Sequence, residues 1–92
     1  MGDKEFMEKC KYAVVCFHND NVDILKGDND FITKDDVYVV WLVKALQNNK
    51  ALLSTNLKDG MYYECTYNGD KKEIYVDAYK KWKNFVVKIE EE

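Results

Sequence analysis

The stretch Asp36–Asp77, DVYVVWLVKALQNNKALLSTNLKDGMYYECTYNGDKKEIYVD, decides the fold. Val37 to Trp41 is β-branched and aromatic, the composition that suits a pleated and half-buried surface, so the first strand is placed at Asp36–Leu46. Two-residue alternation puts Val37, Val39, Trp41, Val43 and Ala45 on one face, and Tyr38, Val40, Leu42, Lys44 and Leu46 on the other. Both faces are apolar at the middle of this strand. That implies cover on two sides, or a sheet whose outer face meets a partner. Gln47, Asn48 and Asn49 make a turn, and Lys50–Thr55 returns as strand two. Asn56–Gly60 turns again, with Asp59-Gly60 suited to positive φ, and leads into strand three at Met61–Tyr67. Asn68-Gly69 is a strong hairpin signal that pairs strand three with strand four, Lys72–Val76. The reading is a four-stranded antiparallel meander.

Working outward, Asp3 caps a helix over Lys4–His18, whose Phe6, Cys10, Ala13, Val14 and Phe17 form an apolar stripe wide enough to lie on a sheet. Asn19–Lys34 is rich in Asn and Asp and reads as a loop, with a short turn packing Val22, Ile24 and Leu25. Thr33 and Asp36 have the spacing of a helix N-cap, and a helix through Trp41 competes with the first strand. Beyond the meander, Asp77 caps a short second helix, Ala78–Asn84, with Tyr79 and Trp82 on one face. Phe85–Ile89 reads equally as a fifth strand or as an extension of that helix. The fold class is α+β: an N-terminal helix, a four-stranded antiparallel meander, and a short C-terminal helix with a possible extra strand, in one domain spanning 1–92.

Composition bounds the function. The chain has 92 residues, is 47% hydrophobic and carries a net charge of -3, enough apolar content for a core and none of the basic excess that phosphate-backbone binding leaves. Nucleic acid is an unfavoured partner. Cys10, Cys16 and Cys65 lack CxxC spacing and have one histidine to help them, so no zinc site is expected and three reduced thiols are. No apolar stretch approaches a membrane span or a signal sequence, and Phe6 stands where a myristoylation motif needs Ser or Thr. We therefore expect a protein that is neither exported nor membrane-anchored.

Catalytic patterns are absent. DNDFITKDDVYV, beginning at Asp28, has Thr33 at the sixth position and Val39 at the twelfth, where a calcium loop needs glycine and glutamate. There is no GxSxG, no HExxH and no phosphate-cradling glycine loop, and His18 is explained as a cation at a helix C-terminus. We expect no enzyme, no metal and no cofactor. The aromatic set interleaved with lysines is the feature that suggests binding: rings stack on bases and amines neutralise phosphates. On that ground Trp41, Tyr62 and Tyr67, with Lys44, Asn48 and Lys50 at the hairpin ends, are the expected ligand-binding residues.

LQNNKALLST, DGMYYE, TYNGD and DAYKKW, within Tyr38–Asn84, resemble a family of short uncharacterised proteins from phages and prophages of Gram-positive bacteria. The resemblance implies a small accessory protein acting in the host cytoplasm. The expectation it raises is a non-enzymatic homo-oligomer that counters host defence by sequestering a nucleotide-derived signalling molecule. A second expectation is a protein-binding inhibitor whose acidic surface, Asp20–Asp36 and Glu90–Glu92, meets a basic host protein.

Overall fold

The computed structural model describes residues 1–21, 31–46 and 48–90. Helix α1 (Asp3–Asp20) precedes a 3-10 turn (Lys34–Asp36) and four strands, β1 (Val37–Ala45), β2 (Asn48–Thr55), β3 (Met61–Asn68) and β4 (Glu73–Lys80). The strands form one antiparallel sheet in the order β1-β2-β3-β4, and α1 lies across all four on one side. The α+β meander expected from the sequence is therefore the fold.

Helix α1 starts behind Gly2, whose carbonyl accepts from the Phe6 amide; Asp3 is inside the first turn and does not cap it. Its sunken stripe is Phe6, Cys10, Val14 and His18, a strict four-residue repeat. Phe17 slides to the margin, edge-on to Tyr63 with ring centroids 5.8 Å apart. His18, expected as a cation at an exposed helix end, is instead fully buried. The stripe meets Val37, Ala51, Leu53, Met61, Tyr63 and Cys65 from the sheet, and Ile32 closes the cluster. Each large apolar side chain sunk there contributes on the order of 1.5–3 kcal/mol, and this burial rather than helix propensity holds α1 in place.

The base of the long loop is closed by Asn19. Its side-chain amide donates to the Ile32 carbonyl at 3.0 Å, and its side-chain oxygen accepts from the Ile32 amide at 2.9 Å. The proposed packing of Val22, Ile24 and Leu25 lies outside the described residues. The helix signal at Thr33 is real for one turn. The Asp36 carboxylate accepts from the Thr33 amide at 2.9 Å and from the Asn56 side-chain amide at 3.0 Å, and the Asn56 amide donates to the Asp36 carbonyl. The backbone then extends into β1, because β2 offers a ladder that a longer helix could not use.

One turn departs from the sequence reading. The β1–β2 turn is one residue shorter than the three expected: Ala45 already pairs with Asn48, and Leu46 adopts positive φ. The Asn68-Gly69 signal does join β3 to β4 as the sequence implied. Asn68 pairs with Glu73 across a four-residue loop in which the Asn68 side-chain oxygen accepts from the Asp70 and Lys71 amides, and Lys72 takes the positive φ. Gly60 also adopts positive φ, as the Asp59-Gly60 pair implied.

The largest correction concerns the second helix. Asp77 caps nothing, and Ala78–Lys80 continue β4, with Tyr63 opposite Ala78, Tyr62 opposite Tyr79 and Met61 opposite Lys80. A helix at Ala78–Asn84 would have stripped the ladder from the half of β3 that holds buried Met61 and Tyr63, leaving their backbone groups unpaired beside the core. So short a helix carries too little stability of its own to outweigh that loss. Past β4, Phe85–Ile89 is neither strand nor helix, and Lys81–Glu90 runs fully exposed.

Candidate binding face

The sheet has one side under α1 and one side open. A bulge decides which residues line the open side. Val39 pairs with Leu53 and Trp41 with Leu52, so Val40 is an extra residue and the alternation of β1 reverses there. Before the bulge Val37 and Val39 face the helix; after it Leu42 does, and Trp41 and Val43 join Tyr38 on the open side. The single-face grouping of Val37, Val39, Trp41 and Val43 expected from simple alternation is therefore broken between Val39 and Trp41.

Three cross-strand rows make up the open face. Tyr38, Ser54, Tyr62 and Tyr79 form the first, Trp41, Leu52, Glu64 and Asp77 the second, and Val43, Lys50, Thr66 and Tyr75 the third. Tyr38, Trp41, Val43, Tyr75 and Tyr79 each leave two-fifths or more of their surface in solvent, Trp41 at 41%. This is a field of exposed rings with one acidic pair in it. Glu64 and Asp77 sit directly opposite each other, a like-charge pairing that strands normally avoid, and the Lys50 ammonium lies 3.5 Å from Glu64 on the other flank. Tyr75 donates its hydroxyl to the Glu73 carboxylate at 3.0 Å, which raises its pKa and keeps it neutral.

The six residues expected to bind a ligand divide between the two sides. Trp41, Lys50 and Tyr62 stand on the open face, and Asn48 is at its end, where its side-chain oxygen accepts from the Gly69 amide at 3.3 Å and steadies the neighbouring loop. Tyr67 and Lys44 belong to the helix side. Tyr67 packs against the core, and the Lys44 ammonium donates to the Met1 carbonyl at 3.2 Å. Tyr38, Tyr75, Tyr79, Glu64 and Asp77 complete the open face and were not among the expected site residues. The alternation of Tyr75, Asp77 and Tyr79 carried the signal for β4, and the N-cap reading of Asp77 hid it.

Elsewhere the chemistry is quieter. Cys10 and Cys65 are buried together between α1 and β3 and share a hydrogen bond, which with burial pushes the Cys10 thiol far up and leaves the Cys65 thiol lowered. On the outer side of α1 a shallow groove of about 330 Å³ is lined by Glu5, Glu8, Lys9, Tyr12 and Lys34, with Lys34 3.3 Å from Glu8. Among the described residues no cluster of three or more His, Cys, Asp or Glu could hold a metal, and no helix is long and apolar enough to cross a membrane.

No curated protein and no solved structure matches the chain. One family model does, across residues 7–89, which takes in α1 from Met7 onward, the whole sheet and nearly all of the exposed segment that follows. The chain belongs to that family, described as a family of unknown function, DUF6275.

Proposed function

We propose that this protein is a non-enzymatic binding module that works through the open face of its sheet, and that its partner is another protein. The observation that carries the reading is the second row, which runs from Trp41 through Leu52 to the facing acids Glu64 and Asp77. A sheet face rich in exposed Trp and Tyr has the composition of an interface centre. Two carboxylates directly opposite each other suit an arginine or lysine from the partner, while Trp41, two strands from Glu64, offers a separate contact surface. The rings of Tyr38, Trp41, Tyr75 and Tyr79 are spread over three rows and remain two-fifths or more exposed, whereas a small ligand takes a concave site that buries most of its surface. In the phage setting that the sequence resemblance implies, the module is an accessory protein that occupies a basic patch on a host protein in the cytoplasm, including one that serves defence.

A second reading is sequestration of a nucleotide-derived signalling molecule. Tyr62 opposite Tyr79, with Lys80, Lys81 and Lys83 just beyond, supports it by placing rings near amines. It ranks lower because Lys50 is committed to Glu64 and the centre of the face is acidic.

Affinity capture from bacterial extract, followed by intact-complex mass measurement, separates the readings. A stoichiometric protein whose binding weakens with added salt supports the first. A bound species absorbing at 260 nm with no protein partner transfers support to the second.

A further inference from the structure

The segment after β4 is the most anomalous surface of the molecule. Trp82, Phe85, Val86, Val87 and Ile89 are between 68% and 97% exposed. The last hydrogen bond that ties this segment to the fold is from the Lys81 amide to the Gly60 carbonyl, at 2.7 Å. The radius of gyration, 15.3 Å, exceeds the roughly 12 Å of a compact chain of this length. The two edges of the sheet also differ. β1 is blunted by its bulge, a known defence against edge pairing, whereas β4 has neither bulge nor proline and, among the described residues, pairs only with β3.

We propose that β4 and the segment after it form one long strand that pairs antiparallel with the same strand of a second copy, joining two sheets into one of eight strands. The two-fold axis then stands perpendicular to the sheet, so both helices lie on one side and both open faces on the other. Antiparallel partners project to the same side, so a strand that keeps its alternation must pair odd residues with odd and even with even. Among such registers, the one centred on Lys80 gives the best match of side chains. Tyr75 meets the partner copy's Phe85, Ile74 meets Val86, Ala78 meets Trp82, and Asp77 meets Lys83. These are an aromatic pair, an aliphatic pair, a small residue under a large one, and an ion pair. The sole like-charge meeting is Lys80 with its own copy at the axis, where long side chains diverge into solvent.

This dimer goes beyond the proposed function, and its register sets Lys83 of the second copy against Asp77, leaving Glu64 as the acid of the row that faces an open-face partner. It gives Trp82, Phe85 and Val86, three of the exposed apolar side chains, an apolar or small cross-strand neighbour, and it extends the open face across both copies.

The test uses the full chain. Light scattering is predicted to give twice the 10.9 kDa monomer mass, with slow hydrogen exchange in both β4 and Trp82–Val87. Adjacent strand amides point to opposite edges, so one of Phe85→Pro and Val86→Pro removes a donor facing the partner copy. At least one of these variants is predicted to weaken the dimer ten-fold or more with an unchanged circular dichroism spectrum in the folded core. The double variant Y75C/F85C, oxidised, is predicted to run as a covalent two-chain species that neither single variant forms. A monomeric wild-type chain overturns the proposal, whether or not the segment is protected by folding back on its own sheet. So does a dimer indifferent to both proline variants.

Discussion

Trp41 stands opposite Leu52, one register step away from where its alternation with Val39 would place it. That step turns a tryptophan from the helix side of the sheet to the open side. It sets Trp41 in the row that ends in the Glu64–Asp77 pair, with Leu52 between, and gives the face its candidate centre.

The acid pair is a place where stability has been given up. Two carboxylates directly opposite one another repel, and Lys50 relieves Glu64 from one side only. Asp77→Asn is predicted to raise the melting temperature slightly and to weaken the complex with a basic partner about ten-fold, as loss of one charge-assisted contact would. Thermal melts and binding titrations of the same variant check both halves.

Burial separates two phenylalanines that the helical stripe treats alike. Phe6 is fully buried and Phe17 lies at the margin, 36% exposed. Phe6→Ala is predicted to cost roughly 3–5 kcal/mol, and Phe17→Ala about 1 kcal/mol, the difference being the cavity left behind. Urea unfolding with equal m-values measures it.

Tyr63 is fully buried and its hydroxyl has no hydrogen-bond partner among the described residues. Burial, with the nearby Asp59 carboxylate, pushes its pKa from 10.0 up to about 12. Because the folded-state value is raised, the native chain holds its proton while the unfolded chain loses it. Stability is therefore intact below pH 10 and falls as pH rises from there toward 12, by up to about 1.4 kcal/mol per pH unit. Tyr63→Phe is predicted to remove that contribution to the alkaline loss and to add about 1 kcal/mol at neutral pH, since it deletes an unsatisfied buried hydroxyl. Denaturant titrations at neutral and alkaline pH compare the two proteins.

Asp36 joins the 3-10 turn to the β2–β3 turn, and its pKa is lowered first by the Thr33 amide and then by the Asn56 side chain. A lowered folded-state value means the contribution is present above the ordinary carboxylate range and lost as pH falls through the folded value. Asp36→Ala is predicted to lower the melting temperature at neutral pH and to make it less sensitive to mild acid. Melts across the acid range test this.

Much of the architecture was legible because it rests on short-range pattern. The 3.6-residue repeat from Phe6 to Val14 and the two-residue alternation of Met61, Tyr63 and Cys65 both have local causes, and both formed. What escaped was decided across strands. Nothing near Val40 marks it as the bulged residue, because the register comes from which residues of β2 it must meet. Asp77 carries an honest cap signal, and the unpaired backbone of β3 overrides it. The candidate face inherits both misreadings: Trp41, Lys50 and Tyr62 lie on it, Asn48 lies at its end, Tyr67 and Lys44 lie on the helix side, and Asp77 and Tyr79 were read as helix.

The central claim is that the open face, and not the helical side, engages a protein partner. The most direct measurement is capture from bacterial extract by wild-type chain, by Trp41→Ala/Tyr62→Ala, and by Tyr12→Ala, which alters the groove on α1. All three are predicted to fold, with each substitution at a partly exposed site costing about 1 kcal/mol. The account predicts that one stoichiometric protein is retained by the wild type and by Tyr12→Ala and is lost with Trp41→Ala/Tyr62→Ala. Retention by the open-face variant together with loss by Tyr12→Ala would contradict it.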